Sequence, residues 1–365
     1  MEKRLQSLDI FRGLTIFFMI IVNTPGSGRL AYWSLQHATW HGFTPTDLVF
    51  PSFVFITGVS AWFAFKKNDH VLTRELLGKI GRRSLILFLL GVMLYAFPFY
   101  NRPLSTWRIW GVLERIGVCY GIGSVLCLLL KPKQIIGLSA ALLLGYWFIL
   151  MGFGDYSLEN NAVRSLDLAL FGNSHLYHGD GIAFDPEGLL STLPSLVTFL
   201  IGYLVGQFIG TQTDKALIVK YLSITAFALI VGGIVWDLAF PINKKLWTSS
   251  YALAAAGLSM WIFSIVYYVA DVLKQRSWGK TFIVFGTNAI LAYLISEYLI
   301  TIVEMFFRYP NEKGVMTNAH ETTFYWFSSV FGATSFASLL WSLAYVGVCW
   351  LMVYAFYRKK IFLKV

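Results

Sequence analysis

The sequence predicts an all-α polytopic integral membrane protein with about ten transmembrane helices. Three observations carry that prediction. Hydrophobic residues make up 57% of the chain and charged residues only 13%, with a mean hydropathy of +0.63, whereas a soluble domain carries about 25% charged residues. Apolar runs of about 20 residues recur along the whole length, and each is long enough to cross ~30 Å of hydrocarbon as a helix. Lysines and arginines, finally, gather between those runs instead of within them.

The runs justify the helices in turn. The first, over 8–24, follows a polar start at Met1–Ser7 and precedes no small-residue cleavage site, so it is expected to remain as a membrane helix. Further spans are expected over 46–65, 80–98, 110–130, 134–152, 192–210, 217–236, 247–270, 281–304 and 335–357. Cys119, Cys127 and Cys349 all lie inside these runs and are odd in number, which predicts no disulfide framework. Neither an internal repeat nor a Pro/Ser-rich linker divides the chain, so a single transmembrane domain over 1–365 is expected. Placing Met1 in the cytoplasm puts nineteen lysines and arginines in inside segments and eight in outside ones, with Arg12 and Arg115 within spans. That asymmetry is the positive-inside pattern and predicts cytoplasmic amino and carboxyl termini. It also accounts for the net charge of +10. The partner it implies is the lipid bilayer, not nucleic acid.

Three outside segments are long: 25–45, 153–191 and 305–334. The stretch SLQHATWHGFTPTDLVFP, Ser34 to Pro51, gathers His37, Trp40, His41 and Asp47 at the mouth of the second helix. Charges at membrane depth need a reason. Asp9 and Arg12 in SLDIFRG are three apart on one helical face, so they either pair structurally or serve a site. In GVLERIGVCYG, adjacent Glu114 and Arg115 face different directions, so Arg115 is expected to meet another anion. His41 follows His37 by four residues, but Gly42 and Pro45 break any regular helix there and no third ligand stands out. His175 and His178 lack partners of suitable spacing as well, and no metal is expected.

Longer motifs carry a resemblance. RLQSLDIFRGLTIFFMIIVN, LQHATWHGFTPTDLVFPSFVFITG, RIWGVLERIGVCY, FDPEGLLSTLPS, FPINKKLWTSSY and FGTNAILAY run in order from residue 4 to about 293. Together they resemble the heparan-α-glucosaminide N-acetyltransferase family and its bacterial relatives. The resemblance implies the family's shorter bacterial form, without the extra amino-terminal region and span of its human member, placed in the cell inner membrane. It also implies transmembrane acetyl transfer. Cytoplasmic acetyl-coenzyme A is the donor and a glucosamine-type amine on the outer face the acceptor. The family's active-site histidine, in an H-A-x-W-x-G motif, falls on His37, and its asparagine after the first span falls on Asn23. A homodimer is implied by the family alone.

The residues suit those roles. An amine attacks a thioester only when unprotonated, and histidine is the usual base near neutrality. A side-chain amide such as Asn23 could donate to the oxyanion, and Asp47 could hold the imidazole tautomer. Coenzyme A phosphates need basic partners. GKIGRRS supplies Lys79 and Arg83, with Arg83 at the position where the family keeps arginine, and Arg12 and Arg115 are available from within the spans. A basic run that only enforces topology remains the other reading. Trp40 could stack on a sugar or anchor at the interface. Asp185 and Glu187 could favour a helix start or meet a cationic amino sugar, and Asn243 and Lys244 could line the same vestibule. Two other functions stay open, O-acylation of a surface polysaccharide and small-molecule transport, although neither repeats nor paired broken helices are visible.

Overall fold

The computed structural model describes residues 5–100, 102–310 and 314–363. Lys3, Arg4, Lys313 and Lys364, counted above among the loop charges, lie outside the described residues. Thirteen α-helices form in chain order among them: α1 Gln6–Asn23, α2 Val49–Phe65, α3 Arg74–Ala96, α4 Val112–Leu129, α5 Pro132–Gly152, α6 Ala162–Phe171, α7 Thr192–Thr211, α8 Lys215–Asp237, α9 Ser249–Tyr267, α10 Lys280–Thr287, α11 Ala289–Met305, α12 Ala319–Phe331 and α13 Ser335–Arg358. One small antiparallel hairpin, β1 Arg308–Pro310 with β2 Met316–Asn318, is the only sheet among the described residues. Polar caps start the helices where the sequence supplies them. Thr73, Asp214, Thr248 and Thr334 accept backbone amides at the beginnings of α3, α8, α9 and α13, satisfying donors that have no partner within the helix.

The protein is an all-α polytopic membrane protein. Eight helical segments among the described residues are long and apolar enough to cross a bilayer. They include α2 extended to Pro45–Asn68 and α9 extended through a π-turn to Ser249–Val272. Two expected spans differ in detail. The run at 281–304 is a broken pair, α10 and α11, bent by 84° at Asn288. Asn288 holds that bend with its side chain, donating to the Ile361 carbonyl (3.0 Å) and accepting from the Leu363 amide (2.9 Å). The third expected span begins earlier, at Arg74, and its first ten residues carry Arg74, Glu75, Lys79, Arg82 and Arg83. Helix α3 is therefore apolar only along its latter part. Within the segments read as long loops, Asn161 and Asn318 cap two further helices, α6 and α12.

By its internal contacts the chain divides into two compact units. The first holds the chain up to His37, Thr44–Val49 and the part from Lys274 onward. Its α1 and α10 touch backbone to backbone. A Cβ on Gly13 would lie 1.8 Å from the Phe282 carbonyl oxygen, and one on Gly286 1.8 Å from that of Asp9. Close approach of this kind is what small residues permit at membrane helix crossings. Arg12 adds a bond from Nη1 to the Gly286 carbonyl at 3.1 Å. The second unit holds Ala38–Phe43 and Phe50–Leu273. Its centre is α7, which packs on α4, α5 and α9. At Gly58 and Gly202 the α2 and α7 backbones approach in the same way, with a built Cβ only 2.1 Å from the Phe199 and Phe55 carbonyl oxygens.

Gly145 on α5, by contrast, has open space where a Cβ would go. Overpacking a tight crossing costs typically ~1–3 kcal/mol, while substitutions that touch nothing stay within about 0.5 kcal/mol. Gly13→Val is therefore expected to lower the thermal midpoint of the detergent-solubilised protein by several degrees, and Gly145→Val to leave it unchanged. Equal midpoints for the two variants, read by tryptophan fluorescence, would contradict the packing described.

Candidate active site

In the first unit the chain leaves α1 at Asn23, makes short 3-10 turns at Gly28–Leu30 and Trp33–Leu35, and reaches His37. A third such turn, Pro45–Leu48, brings Asp47 back to it. His37 Nδ1 lies 2.7 Å from Asp47 Oδ1. The other carboxylate oxygen accepts from the Thr44 amide and hydroxyl, both at 3.0 Å, and Asp47 is fully buried. An ionised carboxylate only accepts, so Nδ1 carries the imidazole proton and Nε2 is the ring's basic nitrogen. The side chain of His37 is 42% exposed, so a rigidly oriented imidazole stands at the surface of the unit. Thr44 fixes the carboxylate, and the carboxylate fixes the ring.

Asn23 is tied to a residue the sequence did not single out. Its amide donates to Glu297 Oε1 on α11 at 3.1 Å, which uses one of its two hydrogens. Arg12 pairs with Asp9 at 3.3 Å besides holding α10. The same unit contains a second histidine–carboxylate pair, His320 Nδ1 with Glu304 Oε1 at 2.9 Å, and the ring lies 4.4 Å from that of Trp341. No motif pointed to His320 or Glu297. Both lie beyond the last recognised motif, and Glu297 is 274 positions from Asn23.

The second unit concentrates buried charge. Arg108 donates from Nε and Nη2 to both oxygens of Asp185 (2.8 and 2.7 Å) and from Nη2 to Glu187 at 2.6 Å. Its guanidinium also lies 4.5 Å from the ring of Tyr95 and 4.9 Å from that of Tyr177. Burial opposes that charge, but Tyr95, Asp185 and Glu187 outweigh it and hold Arg108 well above the ordinary arginine value. Glu187 is likewise buried, and Arg108, Arg115 and Lys244 hold it below the usual carboxylate range. Both carboxylates singled out by FDPEG thus engage an arginine of the chain itself.

Arg115 is wholly buried. Its Nη2 donates to the Gly188 carbonyl at 3.0 Å and to the Ser191 hydroxyl, and its guanidinium sits 5.1 Å from the Trp247 ring. Its Nε and Nη1 find no hydrogen-bond partner among the described residues, and neither does either carboxyl oxygen of Glu114. Asp167 on α6 completes the group. It accepts the Leu189 amide at 3.1 Å, its other oxygen has no described partner, and burial pushes it up to about 7.

The remaining sequence candidates also fall in this unit. Arg83 stacks over Tyr120 at 4.4 Å, whereas Lys79 forms a surface pair with Glu75 at 2.6 Å. Trp40 donates to the Tyr156 carbonyl at 2.7 Å and packs in a core cluster with Phe184. Asn243 is buried and accepts the Leu246 amide at 2.9 Å, with its own amide 3.5 Å from His41 Nδ1. Burial lowers His41 below the ordinary histidine value against the opposing pull of Asp237. Lys244 is half-buried, and its neighbour Lys245 bonds to Asp180.

The state of Asp167 makes a prediction with a definite sign. A carboxyl raised to about 7 in the folded protein binds its proton more tightly there than in the unfolded chain, where its value is near 3.9. Its favourable contribution is full below ~4 and is lost as pH rises through about 7. Asp167→Asn is expected to gain thermal midpoint relative to the parent between pH 5 and ~8, with the difference levelling above that. A constant difference across that range would contradict the assignment.

The whole chain aligns with two curated relatives. It is 31% identical over 432 aligned positions to heparan-alpha-glucosaminide N-acetyltransferase of Homo sapiens and 29% identical over 426 to that of Mus musculus. The alignments cover 100% of this chain and 60% and 61% of those proteins. The chain thus spans about three fifths of their length. Residues 4–234 match the family described as "Heparan-alpha-glucosaminide N-acetyltransferase, catalytic", a stretch that holds both His37–Asp47 and the Arg108–Asp185–Glu187 group. On that match, which covers more than half of its length, the chain belongs to the heparan-alpha-glucosaminide N-acetyltransferase family.

Proposed function

We propose that the protein is a membrane-embedded acetyltransferase that moves an acetyl group from acetyl-coenzyme A to the amine of a glucosamine-type sugar. The donor enters from the cytoplasmic side of the inner membrane, and the acceptor binds on the opposite face, with both termini cytoplasmic. The observation that carries this reading is the His37–Asp47 pair at 2.7 Å. A buried, fully bonded aspartate leaves Nε2 as the basic nitrogen, which is what deprotonating an attacking amine requires.

In the proposed reaction the amine nitrogen forms a bond to the thioester carbonyl carbon while His37 Nε2 takes its proton. The oxyanion accepts a hydrogen bond from Asn23, whose second amide hydrogen is not used by Glu297. The C–S bond then breaks, and the leaving thiolate takes up a proton. For the phosphates of coenzyme A we propose Arg83, with Lys79, Arg115 and Arg12 as further basic groups. Trp40, Asp185, Glu187, Asn243 and Lys244 are proposed for the sugar. Because Arg108 already pairs with both Asp185 and Glu187, their contribution would be to shape the site rather than to offer an open anion. No metal is invoked, and dimerisation is proposed only by analogy with the family.

The rival carrier reading gains one feature, the 84° break between α10 and α11. Broken helices in carriers come in pairs related by a repeat, and one such break is present among the described residues. Family membership and the oriented imidazole favour transfer chemistry.

General base catalysis is worth typically ~10²–10⁴-fold. His37→Ala is expected to lower kcat for acetylation of glucosamine by that factor while acetyl-coenzyme A still raises the thermal midpoint. Asp47→Asn, which removes the tautomer control, should lose at least ~10²-fold. Near-full turnover by either variant with both substrates saturating would sink the assignment. We further propose direct transfer within a ternary complex, because an acetyl-imidazole facing water would hydrolyse. Mixing the protein with labelled acetyl-coenzyme A and no acceptor should then release no stoichiometric burst of coenzyme A. A burst with label retained on a peptide containing His37 would establish the acetyl-enzyme route instead.

A further inference from the structure

Among α5, α7, α8 and α9 lies a groove of about 660 Å³. Its wall is almost wholly apolar, with Leu143 and Leu144 from α5, Phe208 from α7, and Tyr221, Leu229 and Trp236 from α8. The groove exists because α5 and α8 each lean on α7 and α9. They are also the least buried of the candidate spans, at 22% each. It opens sideways: Leu144 is 44% and Tyr221 51% exposed. An apolar cavity of this size gives water no partners, and left empty it forfeits the dispersion contacts of its whole lining. The medium at that opening is hydrocarbon.

Length and charge specify the occupant further. Along α8 the lining runs from Tyr221 to Trp236, fifteen residues or about 22 Å at ~1.5 Å per residue. That exceeds half of a ~30 Å hydrocarbon core, so one leaflet's acyl chain fits within it. Two crossings, α5 and α7, separate the start of α5 from the start of α8, which puts both starts on one side of the membrane. That side carries Lys131, Lys133, Lys215 and Lys220. Lys133 precedes the lining residue Ile136 by one turn, and Lys215 precedes Leu222 by two, each on the helix face that lines the groove. Two acidic residues, Asp214 and Asp271, stand near this end. The Asp214 carboxylate caps α8 by accepting the Ala216 and Leu217 amides, and Asp271 is buried, its carbonyl accepting from Lys215 Nζ at 2.6 Å. A cationic rim at the headgroup end of an acyl-length slot matches an anionic phospholipid.

We propose that this groove is a binding site for one anionic phospholipid, its acyl chain lying against Phe208, Leu229 and Trp236 and its phosphate between Lys133 and Lys215. The intact protein is reconstituted in phosphatidylcholine nanodiscs containing increasing fractions of either phosphatidylglycerol or phosphatidylcholine brominated on the acyl chain. Trp236 fluorescence is taken as the difference between the parent protein and Trp236→Phe. Half-quenching is expected at a mole fraction about five-fold lower for the brominated phosphatidylglycerol, and Lys133→Gln with Lys215→Gln should abolish that preference. Equal quenching by the two lipids would reduce the groove to ordinary boundary contact and overturn the proposal. So would protection of Trp236 from both lipids, the result expected if a second copy of the chain fills the groove, or a preference that survives loss of both lysines. The readout is independent of acetyl transfer, so the two readings fail separately.

Discussion

Arg108 holds two buried carboxylates, Asp185 and Glu187, through three hydrogen bonds, and much of the second unit's polar arrangement follows from having to balance those charges away from water. Removing an ion from water costs several kcal/mol even after relaxation. An unpaired charge at that depth is therefore costly. Two arginines, Arg108 and Arg115, face the two acids, and the aromatic rings of Tyr95, Tyr177 and Trp247 supply π-faces to the guanidinium groups. The segment 185–191 is thereby pinned to the segment 108–115, two stretches that lie far apart in the chain. What remains unsatisfied is as informative as what is paired. Arg115 Nε and Nη1, Glu114 and one oxygen of Asp167 keep unused hydrogen-bonding capacity in the interior, where such capacity is costly unless a ligand uses it.

The first unit solves a different problem, that of orienting one imidazole at the end of a loop. Asp47 can be buried because three donors saturate it: His37 Nδ1, the Thr44 amide and the Thr44 hydroxyl. The cost of burying the carboxylate is thus met locally, within a span of eleven residues, before any long-range contact is made. Rigid second partners of this kind are what convert a surface histidine into a group of fixed tautomer and direction. Asn23 at the end of α1 is tied to Glu297, so the chain entering the histidine loop is fastened to α11 as well.

Close helix contact supplies the framework for both arrangements. In a medium as apolar as the side chains, burial of apolar surface contributes little between helices, and packing with backbone approach takes over. Gly13 against Gly286 and Gly58 against Gly202 are where this happens. Between α5 and α8 no such approach occurs, and a groove remains.

The sequence alone determined the class of the protein and the identity of its candidate chemistry. Apolar runs of bilayer length leave no alternative to helices, because every backbone group must be satisfied within the segment, and lysine and arginine placement followed the runs. His37, Asp47, Arg83 and Arg115 were legible because polar residues stand out against an apolar background and because their motifs are local. His37 and Asp47 in particular are only ten positions apart, so proximity in sequence already implied proximity in space. Tertiary structure decided the rest, since it depends on pairings that no local pattern encodes. Arg108 was one basic residue in a charge count until it met Asp185, seventy-seven positions away. Asp167 became a raised carboxyl only through the burial that the fold imposes. The break at Asn288 appeared as a continuous apolar run, because hydropathy averages over a window and does not register that one side chain bonds the backbone at Ile361 and Leu363.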